Sequence, residues 1–190
     1  MLLNPSKTKE LIINFRQRPT CQYPVPIDGT EVEIAQQYKY LGVVVDDRLR
    51  WDNNVNIVCR KGQQRLYFLR KLKTFNMDSE LLGLFYSSMV QSVTSYALIC
   101  WWGNLTIKNR KKIERIRKTA EKIIGLNLVD INTIYKNKVM KMMNKMVDGK
   151  SLFSNYIVWL KSGRRLQSLK CRANRYSNSF VPQAIRLFNA

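Results

Sequence analysis

The 190-residue chain contains no histidine, and only 13 Asp and Glu stand against 33 Lys and Arg. Without an imidazole there is no His general base, no Ser–His or Cys–His nucleophile pair, no two-His iron site and no ordinary zinc-hydrolase site. Its four cysteines, Cys21, Cys59, Cys100 and Cys171, are dozens of residues apart with no C-x-x-C pair, so they read as reduced thiols rather than zinc ligands. No secretory signal is visible either, which leads to the expectation of an intracellular protein, nuclear or cytoplasmic. The longest apolar stretch, Phe85 to Trp102, is broken by Ser87, Ser88, Gln91, Ser92, Thr94 and Ser95 and reads as a buried helix, not a membrane span.

What is present is an uneven distribution of positive charge. Residues 1–58 hold seven Lys/Arg and seven Asp/Glu, so the formal net charge of +20 is carried beyond residue 58, where 26 basic residues face six acids. Such asymmetry points to a polyanionic partner, of which nucleic acid is the commonest. The 45% hydrophobic content is that of a chain with a packed core.

The patterning predicts an α+β fold in which a small antiparallel β-sheet precedes a basic helical bundle. Leu11–Phe15 reads as a short strand, followed by Pro19, Pro24 and Pro26, which exclude a helix interior. Asp28-Gly29 offers a two-residue hairpin turn, Glu31–Ile34 alternates, and Tyr38–Val45 is a further apolar strand run. From about Asn54 the period becomes helical through Val55, Val58, Cys59, Gly62, Leu66, Leu69 and Leu72. Asp78 is placed to cap a second helix through Leu81, Phe85, Met89, Val93 and Ala97. A third spans Thr106–Ile124 with Gly125 as its terminator, and a fourth Ile131–Val147. This divides the chain into a β-rich segment (1–53), a helical domain (54–160) and a basic tail (161–190). The tail is expected to be loose over Lys161–Arg175, with Phe180–Phe188 apolar enough to dock back.

Lys and Arg recur between the apolar positions of successive helices: Arg60, Lys61, Arg65, Arg70 and Lys71, then Lys108, Arg110, Lys111, Lys112, Arg115, Arg117, Lys118 and Lys122. Several such faces with few acids suit a phosphate-tracking surface better than plain solvation. Tyr67, Phe68, Phe75, Trp101, Trp102, Tyr135, Tyr156 and Trp159 interleave with this charge. Most belong to core packing, and base stacking is the reading for rings flanked by Arg or Lys. The adjacent Asp46-Asp47 lacks a third carboxylate and reads as a solvated strand-exit turn or a helix cap, so neither a metal nor another cofactor is expected.

Asn4–Ile12, Tyr38–Val43, Asp47–Trp51, Gln63–Leu72, Trp101–Asn104, Thr119–Gly125, Ser162–Arg165 and Phe180–Leu187, taken in order, resemble the carboxyl-terminal part of reverse transcriptases from non-LTR, LINE-type retrotransposons. The resemblance implies the end of a palm, a thumb and a connector. It implies Lys7 as a triphosphate-side lysine and Tyr40, Leu41 and Gly42 as a hairpin gripping the primer end. Arg60, Lys61, Arg65, Arg70, Lys71, Arg110, Lys111, Lys112, Arg115, Lys118, Arg164 and Arg165 are then the nucleic-acid contacts. That family's aromatic-x-Asp-Asp motif lies upstream of the lysine segment, and this sequence begins after it.

The chain alone is therefore expected to be a non-catalytic remnant that holds RNA, DNA or their hybrid, and possibly a palm segment encoded elsewhere. The same stretch also resembles the N-terminal domain of AlkB-type alkylation-repair homologues that join a dioxygenase to a tRNA methyltransferase. The His-x-Asp iron site and the Gly-rich S-adenosylmethionine loop of those activities are not in this sequence.

Overall fold

The computed structural model describes residues 4–15 and 23–190. Pro19 and Cys21 lie outside them. The chain divides into two compact units, Met1–Asn54 and Val55–Ala190.

The first unit is made of short ladders. β1 (Lys9–Glu10) pairs with β4 (Glu33–Ile34) in parallel, β2 (Pro26–Ile27) with β3 (Thr30–Glu31) antiparallel, and β5 (Gln37–Tyr40) with β6 (Val43–Asp46) antiparallel. The single antiparallel sheet expected from the sequence is thus three two-stranded ladders, one of them parallel. Leu11–Phe15 is irregular, and the strand sits just before it, where the Glu10 carbonyl takes the Ala35 N–H at 2.8 Å.

Both hairpin turns follow from φ. Asp28 and Gly29 (50° and 75°) close β2–β3, and Leu41 and Gly42 (45° and 85°) close β5–β6, the two left-handed residues that a type I′ turn requires. Tyr38–Val45, expected as one strand, is therefore folded back on itself.

The second unit is helical. α1 (Asp52–Thr74) begins at the end of the first unit and carries the predicted apolar stripe. α2 (Ser79–Phe85) is capped as expected, the Asp78 carboxylate accepting the Leu81 N–H at 2.7 Å. The single helix read through Ala97 is interrupted. α2 runs into a π-helical turn (Tyr86–Gln91) and a short α3 (Ser92–Thr94), then breaks where Ala97 adopts φ 47°. The Ser95 carbonyl left free by the break takes the Lys138 ammonium at 2.9 Å. α4 (Leu98–Trp101), a 3₁₀ turn (Trp102–Asn104), α5 (Ile107–Ile124), α6 (Ile131–Val147), α7 (Asn174–Ser177) and α8 (Phe180–Asn189) follow.

One core cluster joins Leu66 and Leu69 of α1, Leu82, Tyr86 and Val90 of the α2 stretch, and Ile116, Ala120 and Ile124 of α5. Gly62 lets α1 approach α5, since a Cβ there would lie 2.8 Å from Ile116 Cδ1. α8 packs on α6 as its apolar pattern predicts.

In the tail, residues 167–173 have no helix or strand. Trp159 and Leu166 form an antiparallel bridge, and the Asn189 side chain clamps Leu166.

Candidate nucleic-acid interface

The site grows from α5. The Thr106 hydroxyl accepts the Asn109 N–H at the start, and Gly125, at φ 83°, ends the helix with its N–H on the Glu121 carbonyl at 2.8 Å. Between these caps Ile113, Ile116, Ala120 and Ile124 are buried. The opposite face presents Lys108, Lys111, Arg115, Lys118 and Lys122, all exposed. Their spacing of three and four residues places them in one line on an α-helix. Fourteen residues at about 1.5 Å each make that line about 21 Å long.

The acids of α5 do not neutralise it. Glu114 and Glu121, the only two in the helix, turn toward Arg117, which is 8% exposed on the inward side. Arg117 donates through Nε to Glu114, through Nη1 to Glu121 Oε1 at 2.8 Å and to the Leu128 carbonyl at 2.7 Å. Glu121 in turn accepts the Leu128 N–H at 3.0 Å. That backbone N–H, with the Arg117 guanidinium behind it, holds the Glu121 carboxyl below its ordinary range. For Arg117 the two carboxylates outweigh the cost of burial and raise its affinity for its proton.

Of the other four acids in the unit, three have partners, and Glu80 is exposed in the first turn of α2. Asp78 and Asp130 are helix caps, Asp130 accepting the hydroxyl and N–H of Thr133, which keep its carboxyl low. Asp148 faces Lys150 at 3.8 Å.

The structure sorts the sequence-predicted contacts. Lys111, Arg115 and Lys118 belong to the α5 line. Arg60, Arg70 and Lys71 are exposed on α1, with Lys71 over the Tyr67 ring at 5.8 Å. Lys61 and Arg65 are half-buried on the flank of α1, and Lys112, also half-buried, donates to Asn56 Oδ1 at 3.1 Å. Arg110 is turned inward: its Nη2 donates to the Trp102 and Gly103 carbonyls at 3.3 and 3.0 Å, and its guanidinium lies 5.5 Å from the Trp102 ring centre. It holds the 3₁₀ turn together instead of facing solvent. Arg164 and Arg165 are exposed in the loop between Trp159 and Leu166.

Lys7, itself exposed, ends a 3₁₀ turn of the first unit, and Tyr40, Leu41 and Gly42 form the exposed β5–β6 tip. Among the rings, Trp101, Trp102 and Tyr135 are core, whereas Tyr67, Phe68, Phe75, Tyr156 and Trp159 are exposed.

Lys108 and Lys122, the ends of the α5 line, are signalled in the sequence by their spacing from Lys111 and Lys118. Asp46 Oδ1 accepts the N–H groups of Arg48 and Arg50 at 2.9 and 3.0 Å, a strand-exit turn. Among the described residues no three His, Cys, Asp or Glu side chains are grouped to hold a metal ion, and no helix is long and apolar enough to cross a membrane. Burial pushes the Cys59 and Cys100 thiols up, away from nucleophilic thiolate.

Residues 51–92 match the family described as alkylated DNA repair protein alkB homolog 8, N-terminal. The match spans 42 of the 190 residues and covers α1, the turn into α2, and α2 to the end of the π-helical turn. No curated protein and no solved structure matches the chain.

Proposed function

We propose that the chain is a non-catalytic nucleic-acid-binding module that contacts phosphates through the outer face of α5. The observation that carries this reading is the segregation of charge on that helix. Five cations stand in a line toward solvent, while both carboxylates fold inward onto Arg117. A surface evolved only for solubility needs no such separation, and interspersed signs would serve it better. The likeness of residues 51–92 to the family described as alkylated DNA repair protein alkB homolog 8, N-terminal, is in keeping with a module of a repair-type parent; on this reading the methyltransferase and dioxygenase chemistry belongs to that parent and the chain only binds. The binding expected of the line is electrostatic and sequence-blind, because Lys and Arg meet the backbone while base edges carry the sequence.

A second reading is the reverse-transcriptase thumb and connector. The observation favouring it is the β5–β6 tip, where Tyr40 and Leu41 are 64% and 73% exposed on a tight turn, suited to touching a primer end. Both readings have the same ligand. They differ in what the β5–β6 tip does, so Leu41→Asn should leave affinity unchanged for a tethering module and weaken binding to recessed primer ends for a thumb.

The test of the main reading is a salt titration of binding to a labelled duplex. Five phosphate contacts give a slope of log K against log salt of about −4.5. Neutralising Lys111, Arg115 and Lys118 to Gln should reduce the slope by about three. An affinity indifferent to salt would put the interaction on apolar helix faces instead.

A further inference from the structure

We infer a second, separate nucleic-acid site: Phe153, Tyr156 and Trp159 form a stacking platform for unpaired bases, with Lys161, Arg164 and Arg165 as its phosphate grip. It rests on the second unit being a nucleic-acid binder, but on residues that the α5 line does not use.

The platform is built by the chain between α6 and α7. A 3₁₀ turn at Ser154–Tyr156 sets the Phe153 and Tyr156 rings 6.2 Å apart, and Phe153 rests edge-on against Phe180 at 6.4 Å. Trp159 meets Phe188 edge-on at 5.9 Å and bridges to the fully buried Leu166. Phe153 and Trp159 are thus propped by rings of α8, Tyr156 leans on Phe153, and all three stay open: Phe153 is 42%, Tyr156 61% and Trp159 43% exposed. The exposed area of three supported rings is what stacking on bases uses, and it is indifferent to base identity.

The cations are placed by the same hairpin. The Leu160 N–H donates to the Arg165 carbonyl at 2.9 Å and the Gly163 N–H to the Leu160 carbonyl at 2.8 Å, with Gly163 at φ 66° turning the loop. Lys161, Arg164 and Arg165 therefore follow directly on Trp159 along the hairpin, all exposed. From Ile131 to the end of the chain the sole acid is Asp148. That charge argues for a polyanion as the occupant and against a second copy of this +20 chain.

An anionic membrane is the other surface that pairs rings with cations, but residues 151–160 hold one 3₁₀ turn, the single bridge at Trp159 and otherwise irregular backbone, with no amphipathic helix. Such backbone would carry unpaired polar groups into hydrocarbon, which interfacial helices avoid.

The protein reports on its own platform. Trp51, Trp101 and Trp102 are buried, so Trp159 is the accessible tryptophan. We expect 20-nucleotide oligo-dT and oligo-U to quench the emission of the full chain, and a hairpin duplex with the same phosphate count to quench it little. Tyr156→Ala and Trp159→Ala should each weaken single-strand binding on the order of tenfold and leave duplex binding within about twofold. Trp159→Phe should restore binding while removing the signal, which separates ring loss from loss of the hairpin. Single-strand binding indifferent to these rings would overturn this proposal alone, and so would equal losses for single strand and duplex. Adsorption to phosphatidylserine vesicles that depends on the rings, with oligonucleotides ignoring them, would overturn it in favour of a membrane surface. Failure of the intact chain to bind any nucleic acid would overturn this site together with the α5 reading.

Discussion

Asn189, the penultimate residue, pairs with the backbone of Leu166 as a strand would: its Oδ1 takes the Leu166 N–H at 3.0 Å and its Nδ2 donates to the Leu166 carbonyl at 2.9 Å. Leu166 is fully buried, so neither group has water to fall back on. Asn189→Ala should cost about 2 kcal/mol and lower the melting temperature by roughly 5 °C. Asn189→Asp, which keeps the acceptor and loses the donor, should fall between the two in a thermal melt.

Gly103 sits in the Trp102–Asn104 turn against the chain at Asn178, and a Cβ there would lie 2.1 Å from the Asn178 carbonyl oxygen. The contact is with backbone, which cannot turn aside as a side chain can. Gly103→Ala gains up to about 1 kcal/mol of backbone entropy, but the clash costs about 3 kcal/mol. The net effect in a denaturant titration should be a clear loss of stability.

Glu121 and Asp130 both have carboxyls held low in the folded state, Glu121 chiefly by the Leu128 N–H and Asp130 chiefly by Thr133. Depressed carboxyls favour the fold while they are ionised. Their contribution is complete above the ordinary values of 4.5 and 3.8 and is lost as pH falls through the lowered ones. Melting temperatures should therefore be flat at neutral pH and decline below about pH 4.5. Glu121→Gln should be less stable than the parent at pH 7 and converge with it in acid.

Arg110 and Lys111 are neighbours with different work. Arg110→Lys loses a fork shared by two carbonyls and a guanidinium stacked on Trp102, and should cost about 1–2 kcal/mol of stability with the salt slope of binding unchanged. Lys111→Glu should do the opposite, weakening duplex binding while the melt stays within about 0.5 kcal/mol. Paired thermal melts and anisotropy titrations of the two variants check both halves.

The parts of this fold that were legible in sequence are those written in local chemistry. Asp78 caps the helix that follows it, Gly125 ends α5 in the left-handed region, and Asp28-Gly29 makes its turn, whereas Thr106, read as the first residue of α5, is its cap, and Asp130 caps α6 without having been singled out. The α+β division and the helical run from the low fifties onward follow from periodicity alone. The break before α4 was not legible, because Ala97 takes φ 47° with neither Gly nor Pro to announce it, and the Ser95 carbonyl freed by it is satisfied by Lys138, 43 positions away. The parallel β1–β4 pairing depends likewise on distant partners.

Charge counting found the basic helices in bulk but not which of their cations face solvent. Arg117 falls on the same helical stripe as Ile113 and Ala120, with Glu three positions before it and four after it. That spacing marks an inward arginine once the stripe is drawn. Arg110 carries no comparable signal, since the carbonyls it holds belong to a turn whose shape comes from tertiary packing.

The inward pair of carboxylates on α5 also bears on handling. With four of its six acids spent on caps and on Arg117, the second unit keeps a large uncompensated excess of positive charge. If the outer face of α5 holds phosphates as proposed, preparations made at low ionic strength should carry host oligonucleotides, seen as an absorbance ratio raised toward 260 nm. The molecule has to be stripped of them before its own preferences can be measured.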